Sequence, residues 1–372
     1  MSVQERADVG GAVASRPAAV PGGARRIGGL DVARGLAVLG MFGAHLGDTG
    51  ELGRDPATWR ALVDGRSSIL FATLAGVSLA LLSGGGTRLD GRELGRARTR
   101  VLVRAAWVFA IGGVLELLDT SVAIILGVYA VLFVLALPFL RWPPGRLLLA
   151  AGAVALAGPP LTVAVGRYAT GRGEEGSAFA SLLFTGSYPA AVWLAFVLVG
   201  LALGRADLAA VRTRAALVAG GAAAAALGYL GGWWSTRQFT PGVRAEGIEA
   251  GFGASGGWDP AWFAGAEPHS STPFEVLGSG GVAVAVIGVC LVLADLLPRL
   301  TSPVAAVGAL ALTVYTAHIV AIRVVDAGVG DWGAWVRFTL TALLLATVWR
   351  WRIGRGPLEA LLTWSSRRAA GP

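Results

Sequence analysis

The amino-acid sequence predicts an all-α membrane protein, a polytopic bundle of about 10 transmembrane helices (10 or 11) with both termini in the cytosol. Hydrophobic residues make up 55% of the chain and charged residues only 15%, whereas soluble domains carry roughly 25% charged residues. The mean hydropathy is +0.65. Apolar blocks recur along the whole chain, each long enough to cross the ~30 Å hydrocarbon core of a bilayer. The lipid bilayer is therefore an expected partner.

The apolar blocks divide the chain into three predicted parts. Residues 1–24 are small, polar and rich in Gly, Ala and Pro, which predicts a disordered cytosolic leader rather than a cleaved signal peptide. Residues 25–362 form a single membrane domain with a long external loop at 235–274, and residues 363–372 form a cytosolic tail. The predicted spans cover residues 29–47, 66–83, 101–118, 121–140, 146–166, 186–203, 214–234, 275–297, 303–323 and 333–350.

The positions of the arginines predict the orientation of these spans. With the N-terminus inside, 22 of the 31 basic residues fall on the cytosolic side, as the positive-inside rule requires. The formal charge of +8 then reflects membrane topology, and we expect no nucleic acid as a partner. The first span consequently runs from the inside to the outside.

The first span carries a stripe of polar residues. Arg34 and His45 are eleven residues apart, which is within ~20° of three helical turns, so they share a face about 16 Å apart along the axis. Asp31 and Asp48 fall on the same ~100° arc. An ionisable side chain inside a span costs roughly 2.5–3.5 kcal/mol to insert and indicates a functional site.

The other two histidines, His269 and His318, fall in the predicted external half of the bilayer, as His45 does. Arg66, Glu116 and Glu275 also lie at outward ends of spans. Two structural alternatives stay open. Each imidazole can bond to a backbone carbonyl near the headgroups, and Glu116 can simply pair with Arg66.

These residue types suit acyl transfer. Histidine takes a proton near neutral pH, and a carboxylate one turn away orients its ring. Arginine-rich inner segments can hold the phosphates of coenzyme A, although a solvated positive-inside loop explains most single arginines equally well. The single Cys290 lies in an apolar run and no HExxH motif occurs, so we expect no metal. The GxxxG patterns "GAHLG" and "GLALG" predict close helix packing, within the bundle or in a possible homodimer.

The segment "RRIGGLDVARGLAVLGMFGAHLG" (25–47) resembles the first helix of the membrane acyltransferases related to heparan-α-glucosaminide N-acetyltransferase, in a superfamily that includes bacterial O-acyltransferases of surface glycans. Four further blocks look like the YeiB-like membrane proteins. They are "SSILFATLAGVSLALL" (67–82), "GSYPAAVWLAFVLVGLALGR" (186–205), "LTVYTAHIV" (312–320) and "GRGPLEALL" (354–362). Many YeiB-like proteins carry Asn at the position of His45, so His45 favours an active acyltransferase.

The resemblance implies an enzyme in the cytoplasmic (inner) membrane of a bacterium. It would take an acyl group, usually acetyl, from cytosolic acyl-CoA and pass it to a hydroxyl or amine of an extracytoplasmic sugar, glycan or small molecule. The family's catalytic histidine maps to His45. We expect His45 to act as general base or transient acyl carrier, with Asp48 or Glu116 orienting it. The donor-side residues would be Arg34, Asp31, Arg26, Arg100 and Arg104. The acceptor-side residues would be Arg66, His269, His318 and Glu275.

Two other functions stay open as alternatives to acyl transfer. A transporter or lipid flippase would use the buried charges to line a substrate path, and would move its substrate without consuming an acyl donor. A membrane scaffold or sensor without catalytic activity would tolerate replacement of His45, Asp48 and Glu116 together.

Overall fold

The computed structural model describes residues 27–46, 56–87, 89–172, 177–240, 247–254, 256–325 and 332–371. In these ranges the chain is helical and contains no strand. The predicted leader at 1–24, and with it Arg26 and Asp48, lies outside the described residues.

Thirteen α-helices occur in the described ranges, joined by short 3-10 or π-helical segments. They are α1 (Gly28–Leu46), α2 (Arg66–Leu82), α3 (Gly91–Glu116), α4 (Leu126–Ala136), α5 (Pro144–Arg172), α6 (Ala178–Ala180), α7 (Ala190–Leu203), α8 (Val211–Phe239), α9 (Pro273–Leu296), α10 (Pro298–Ala309), α11 (Ala311–Val325), α12 (Trp332–Arg352) and α13 (Pro357–Ala370). The shorter segments are Pro56–Leu62, Leu137–Arg141, Ser181–Thr185, Ile248–Gly251 and Pro260–Phe263.

Each of the ten predicted spans contains a helix. By length and composition, α5, α8 and α9 can each cross a membrane alone. The number rises to five if two bent pairs each count as one span: α6 with its π-helical extension plus α7, and α10 plus α11. The segment predicted as one span at 303–323 differs, because α10 and α11 meet at Leu310 with a bend of 74°. The count of ten spans and the cytosolic termini stay predictions.

Large apolar side chains cover the outer helices. Leu149 and Leu156 on α5, Leu227 and Leu230 on α8 and Leu344 on α12 are all exposed. A soluble domain rarely exposes contiguous apolar surface on this scale, whereas lipid chains solvate it. The exposed apolar faces of these helices are therefore suited to contact with lipid.

The first helix, α1, lies at the centre of the bundle and contacts α2, α9, α10, α11 and α12. Its contact with α10 depends on two glycines that let the backbones touch. A Cβ built on Gly35 would collide with the carbonyl of Val304, and one on Gly308 would collide with the carbonyl of Asp31. Small residues at crossings are the usual device for close packing of membrane helices.

The predicted "GLALG" packing motif is confirmed at the crossing of α2 and α7. A Cβ on Gly200 would strike the carbonyl of Thr73, and one on Gly204 would strike Ala80. Arg205, directly after this motif, donates hydrogen bonds to the carbonyls of Ser83 and Gly85. The motif thus packs helices within the chain, and a homodimer stays a prediction.

The C-terminal helix α13 crosses the predicted domain boundary at residue 362 and packs on α3 and α11. Its Glu359 carboxylate accepts hydrogen bonds from the backbone N–H groups of Leu312 and Thr313 and from the Thr313 hydroxyl. These N–H groups belong to the first turn of α11, where helix N–H groups have no partner within the helix and favour an anion. The segment "GRGPLEALL" therefore anchors the helix that carries His318.

Candidate functional site

Two histidines that are distant in the sequence meet at the end of α1. The Nδ1 atom of His45 lies 2.9 Å from Nε2 of His318 on α11, and the two rings are stacked with centroids 5.1 Å apart. The Nδ1 atom of His318 lies 2.7 Å from the backbone carbonyl oxygen of Tyr315. His318 is buried, and Phe42 covers its ring with a centroid distance of 4.3 Å.

This chain of hydrogen bonds fixes the tautomers of both rings. A carbonyl oxygen only accepts, so Nδ1 of His318 carries the proton that bonds Tyr315, and Nε2 of the neutral ring is an acceptor. His45 must then donate from Nδ1 to that acceptor. The Nε2 atom of His45 is left with a lone pair, which is the arrangement a general base or a nucleophile needs.

His45 lies in the wall of a cavity of about 190 Å³. The cavity is lined by the ends of α1 and α2, by residues 121–125 before α4, by the segment before α7, and by the loop before α9. The lining side chains are those of Met41, Ala44, His45, Val63, Asp64, Ser67, Ser68, Ser121, Val122, Ala123, Ile125, Tyr188 and His269, with Gly65. Polar and titratable groups from five parts of the chain thus converge on one small space, which is a typical geometry for an active site.

His269 shares this cavity and has a carboxylate partner. Its Nε2 atom lies 3.3 Å from Oδ1 of Asp64, the residue two before α2. Burial alone lowers the pKa of His269, but the hydrogen bond to Asp64 and the charges of Glu275, Asp64 and Glu249 outweigh it, so the pKa is raised. His269 therefore keeps its proton at a higher pH than an ordinary histidine does.

Glu275 holds the turn that presents His269. Thr272 caps α9 by accepting a hydrogen bond from the N–H of Glu275 at 3.1 Å. The Glu275 carboxylate accepts in return from the N–H groups of His269 at 2.7 Å and Ser271 at 2.6 Å. Both donors have positive φ, 63° and 52°, a conformation that costs a residue other than glycine about 1–2 kcal/mol. The sequence assigns Glu275 to the acceptor, but its oxygens are bonded to this turn.

In the structure, the side chain that orients the ring of His45 is His318. Glu116, predicted to orient His45, is exposed at the last residue of α3. The sequence assigns His318 to the acceptor side, but His318 bonds the ring of His45 and does not line the cavity. Asp48, the other predicted orienting group, lies outside the described residues.

Arg66, also assigned to the acceptor, connects the start of α2 to α8. Its Nε donates to the hydroxyl of Tyr229 at 2.7 Å, and its Nη1 donates to the carbonyl of Ala61 at 2.9 Å. The hydroxyl of Tyr229 also bonds that of Ser279 at 3.0 Å. Its guanidinium thus takes part in helix packing.

At the opposite end of α1, Arg34 and Asp31 form an ion pair at 2.9 Å. Arg34 also donates to the Ser78 hydroxyl at 3.2 Å and to the Gly308 carbonyl at 3.4 Å. These bonds join α1, α2 and α10. The described part of the polar stripe predicted on α1 thus has protein partners at Asp31 and Arg34 and reaches the cavity at His45.

The two other donor-side arginines predicted from the sequence lie where α3 faces α13. Arg100 lines a groove of about 810 Å³, and Arg104 lies within electrostatic range of Arg100 and Arg367. The groove is also lined by Arg355, Ala360, Thr363, Trp364, Arg367, Arg368 and Gly371. Four guanidinium groups around one groove form a natural site for a multiply charged anion.

Asp64 and Tyr188 are the two titratable residues lining this cavity that the sequence did not single out. Asp64 directly precedes α2 in "DGRSS", and Tyr188 precedes α7 in "GSYPAAVW". Both could have been found from the sequence, because each is an ionisable residue at the external end of a predicted span. In the described ranges, His, Cys, Asp and Glu form no group of three or more that could hold a metal ion.

A family model described as heparan-alpha-glucosaminide N-acetyltransferase, catalytic, matches residues 26–234, which is more than half of the chain. No curated protein matches the chain. The matched range includes His45, Asp64 and Tyr188, whereas His269 and His318 lie beyond its end.

Proposed function

Because the chain belongs to the heparan-α-glucosaminide N-acetyltransferase catalytic family, we propose that it transfers an acyl group, preferentially acetyl, from cytosolic acyl-CoA to an extracytoplasmic acceptor. The acceptor would be a hydroxyl or amine of a sugar, glycan or small molecule, and the enzyme would act in the inner membrane of a bacterium. The observation that carries the proposal is the chain of hydrogen bonds from the Tyr315 carbonyl through His318 to His45, since it leaves an unprotonated ring nitrogen on a residue that lines the cavity.

In this proposal His45 is the general base. Its Nε2 takes the proton from the acceptor O–H or N–H as the oxygen or nitrogen attacks the thioester carbonyl carbon. The new bond to carbon forms and the carbon–sulfur bond breaks. His318 holds the ring in this tautomer because its Nε2 accepts the hydrogen bond from Nδ1 of His45. His318 itself is buried, whereas His45 is partly buried and lines the cavity where the acceptor would bind.

The donor would approach from the other end of α1. The groove between α3 and α13 supports a site for the phosphates of coenzyme A, because four arginines line it. The sequence-based assignment of Arg34 and Asp31 has weaker support, since both already bond within the protein.

The proposal is tested with purified protein, acetyl-CoA and glucosamine, chosen as an amine acceptor. In detergent we expect one free thiol released for each acetylated sugar formed. In sealed vesicles with glucosamine trapped inside and acetyl-CoA outside, we expect acetylated product inside. Movement of the sugar with no thiol released would support a transporter instead and would contradict the proposal.

The arginine groove makes a separate prediction. Replacing Arg100 and Arg367 together by glutamine should raise KM for acetyl-CoA about 100-fold. Each hydrogen bond to a charged group contributes ~1.5–3 kcal/mol, and each 1.4 kcal/mol corresponds to a factor of ten. We expect kcat to change little because neither side chain lies at the cavity.

The matched control for this double variant is Arg92→Gln, which removes an exposed arginine from the same helix outside the groove. If Arg92→Gln raised KM as much as the double variant, a general loss of positive charge would explain the effect. A fall in kcat at unchanged KM would also contradict a donor site in the groove.

A further inference from the structure

His45 and His269 share one cavity but have electrically different partners. The ring of His45 bonds a neutral imidazole, His318, which offers no charge to hold an added proton. The ring of His269 bonds a carboxylate, that of Asp64, at 3.3 Å. A carboxylate favours the imidazolium form of its partner. In a site where the environment separates two such groups, one serves as base and the other as acid.

Three acidic side chains surround His269, and the imidazole that shares its cavity, His45, is neutral. Acidic side chains face it from the segment before α2, from α9 and from the 3-10 turn at 248–251, and His45 faces it from α1. They are Asp64, Glu275 and Glu249, with the ring of Tyr188 packed edge-on at a centroid distance of 5.6 Å. Because three carboxylates and only a neutral imidazole surround it, His269 is the group in this cavity that favours a positive charge.

We propose that His269 is the general acid of the reaction and protonates the sulfur of the departing CoA thiolate. This inference rests on the proposed acyl transfer. As His45 takes the acceptor proton and the new bond to the carbonyl carbon forms, the carbon–sulfur bond breaks. The electron pair of that bond goes to sulfur, which takes the proton from Nδ1 of His269. Nε2 of His269 stays bonded to Asp64, and the products are the acyl acceptor and the CoA thiol.

Asp64 and Glu275 are positioning residues in this scheme. Asp64 bonds the ring and stabilises its charge, and Glu275 bonds the backbone N–H of His269. Proton exchange with solvent then returns His45 to its neutral form and His269 to its charged form. Each turnover is therefore balanced without any further reactant.

The inference is tested by the pH dependence of kcat/KM between about pH 5 and 9, with acetyl-CoA and glucosamine. A general acid with a raised pKa is active below that pKa, so the wild-type rate should fall as pH rises through it. His269→Gln should lower the maximum by about 10²–10⁴-fold and abolish this fall. Asp64→Asn should move the fall to lower pH, because losing the carboxylate lowers the pKa of His269.

The control is Asp259→Asn, which removes an exposed carboxylate from the loop that carries His269, at a position that does not line the cavity. Each variant is checked for wild-type elution in gel filtration and for its thermal midpoint. If the high-pH fall keeps its position in both His269→Gln and Asp64→Asn, His269 is not the acid. If wild type consumes no acetyl-CoA at any pH, the proposed function itself has failed and this inference falls with it.

Discussion

Replacing His45 by glutamine should lower acyl transfer by about 10²–10⁴-fold, the usual contribution of a general base. Glutamine keeps an amide N–H that can donate to His318, but it has no nitrogen lone pair that takes a proton. We expect kcat to fall with little change in KM for acetyl-CoA, because the donor's phosphates would bind in the α3–α13 groove, which His45 does not line. The measurement is thiol release under saturating acetyl-CoA and glucosamine.

Met41→Leu is the matched control for this variant. Met41 lies one helical turn before His45 and lines the same cavity, and exchanges between hydrophobic residues of similar volume usually cost less than about 1.5 kcal/mol. We expect this control to retain most of the activity. A His45→Gln protein that is folded and fully active would exclude His45 as the base. That result would support a transporter or a scaffold instead.

Replacing Gly308 by alanine should destabilise the bundle by about 1–3 kcal/mol, the usual cost of overpacking. The added methyl group would collide with the backbone carbonyl of Asp31 on α1. A backbone carbonyl inside a helix cannot rotate away, so α1 and α10 must separate. The measurement is the midpoint of thermal unfolding in detergent, and the activity should fall with it because α1 carries His45.

Gly95→Ala is the control for that substitution. Gly95 is an exposed glycine inside α3, and nothing lies within 4 Å of an added Cβ. Since alanine is the better helix former by about 0.8–1.0 kcal/mol, we expect this change to leave stability equal or slightly higher. A stability loss for Gly95→Ala as large as that for Gly308→Ala would contradict the argument from close packing.

Most helices could be predicted from the sequence because hydropathy acts locally. The first predicted span at 29–47 corresponds to α1 (Gly28–Leu46), and the one at 275–297 corresponds to α9 (Pro273–Leu296). The break at Leu310 could not be predicted, because the apolar run continues through it without a glycine or proline at that position. Packing against α1 and α12 sets the direction of each half.

From the sequence, His45 could be predicted as a site residue, whereas its hydrogen-bond partner could not. The placement of a histidine at the end of a polar stripe predicts His45 as a site residue. The partner of that histidine, His318, is 273 residues away, and no periodicity relates the two. The same holds for Asp64 and His269, which are 205 residues apart.

The sequence by itself determined that the chain is helical, apolar enough for a bilayer, and equipped with titratable residues at the ends of its spans. Composition and periodicity are properties of neighbouring residues, so they can be read along the chain. Only the tertiary structure decided that His318 holds the tautomer of His45 and that Asp64 bonds His269. It also decided that Glu116 is exposed and that Glu275 braces a turn. Hydrogen bonds between side chains depend on which helices meet and at what depth, and that is fixed by the packing of the whole bundle.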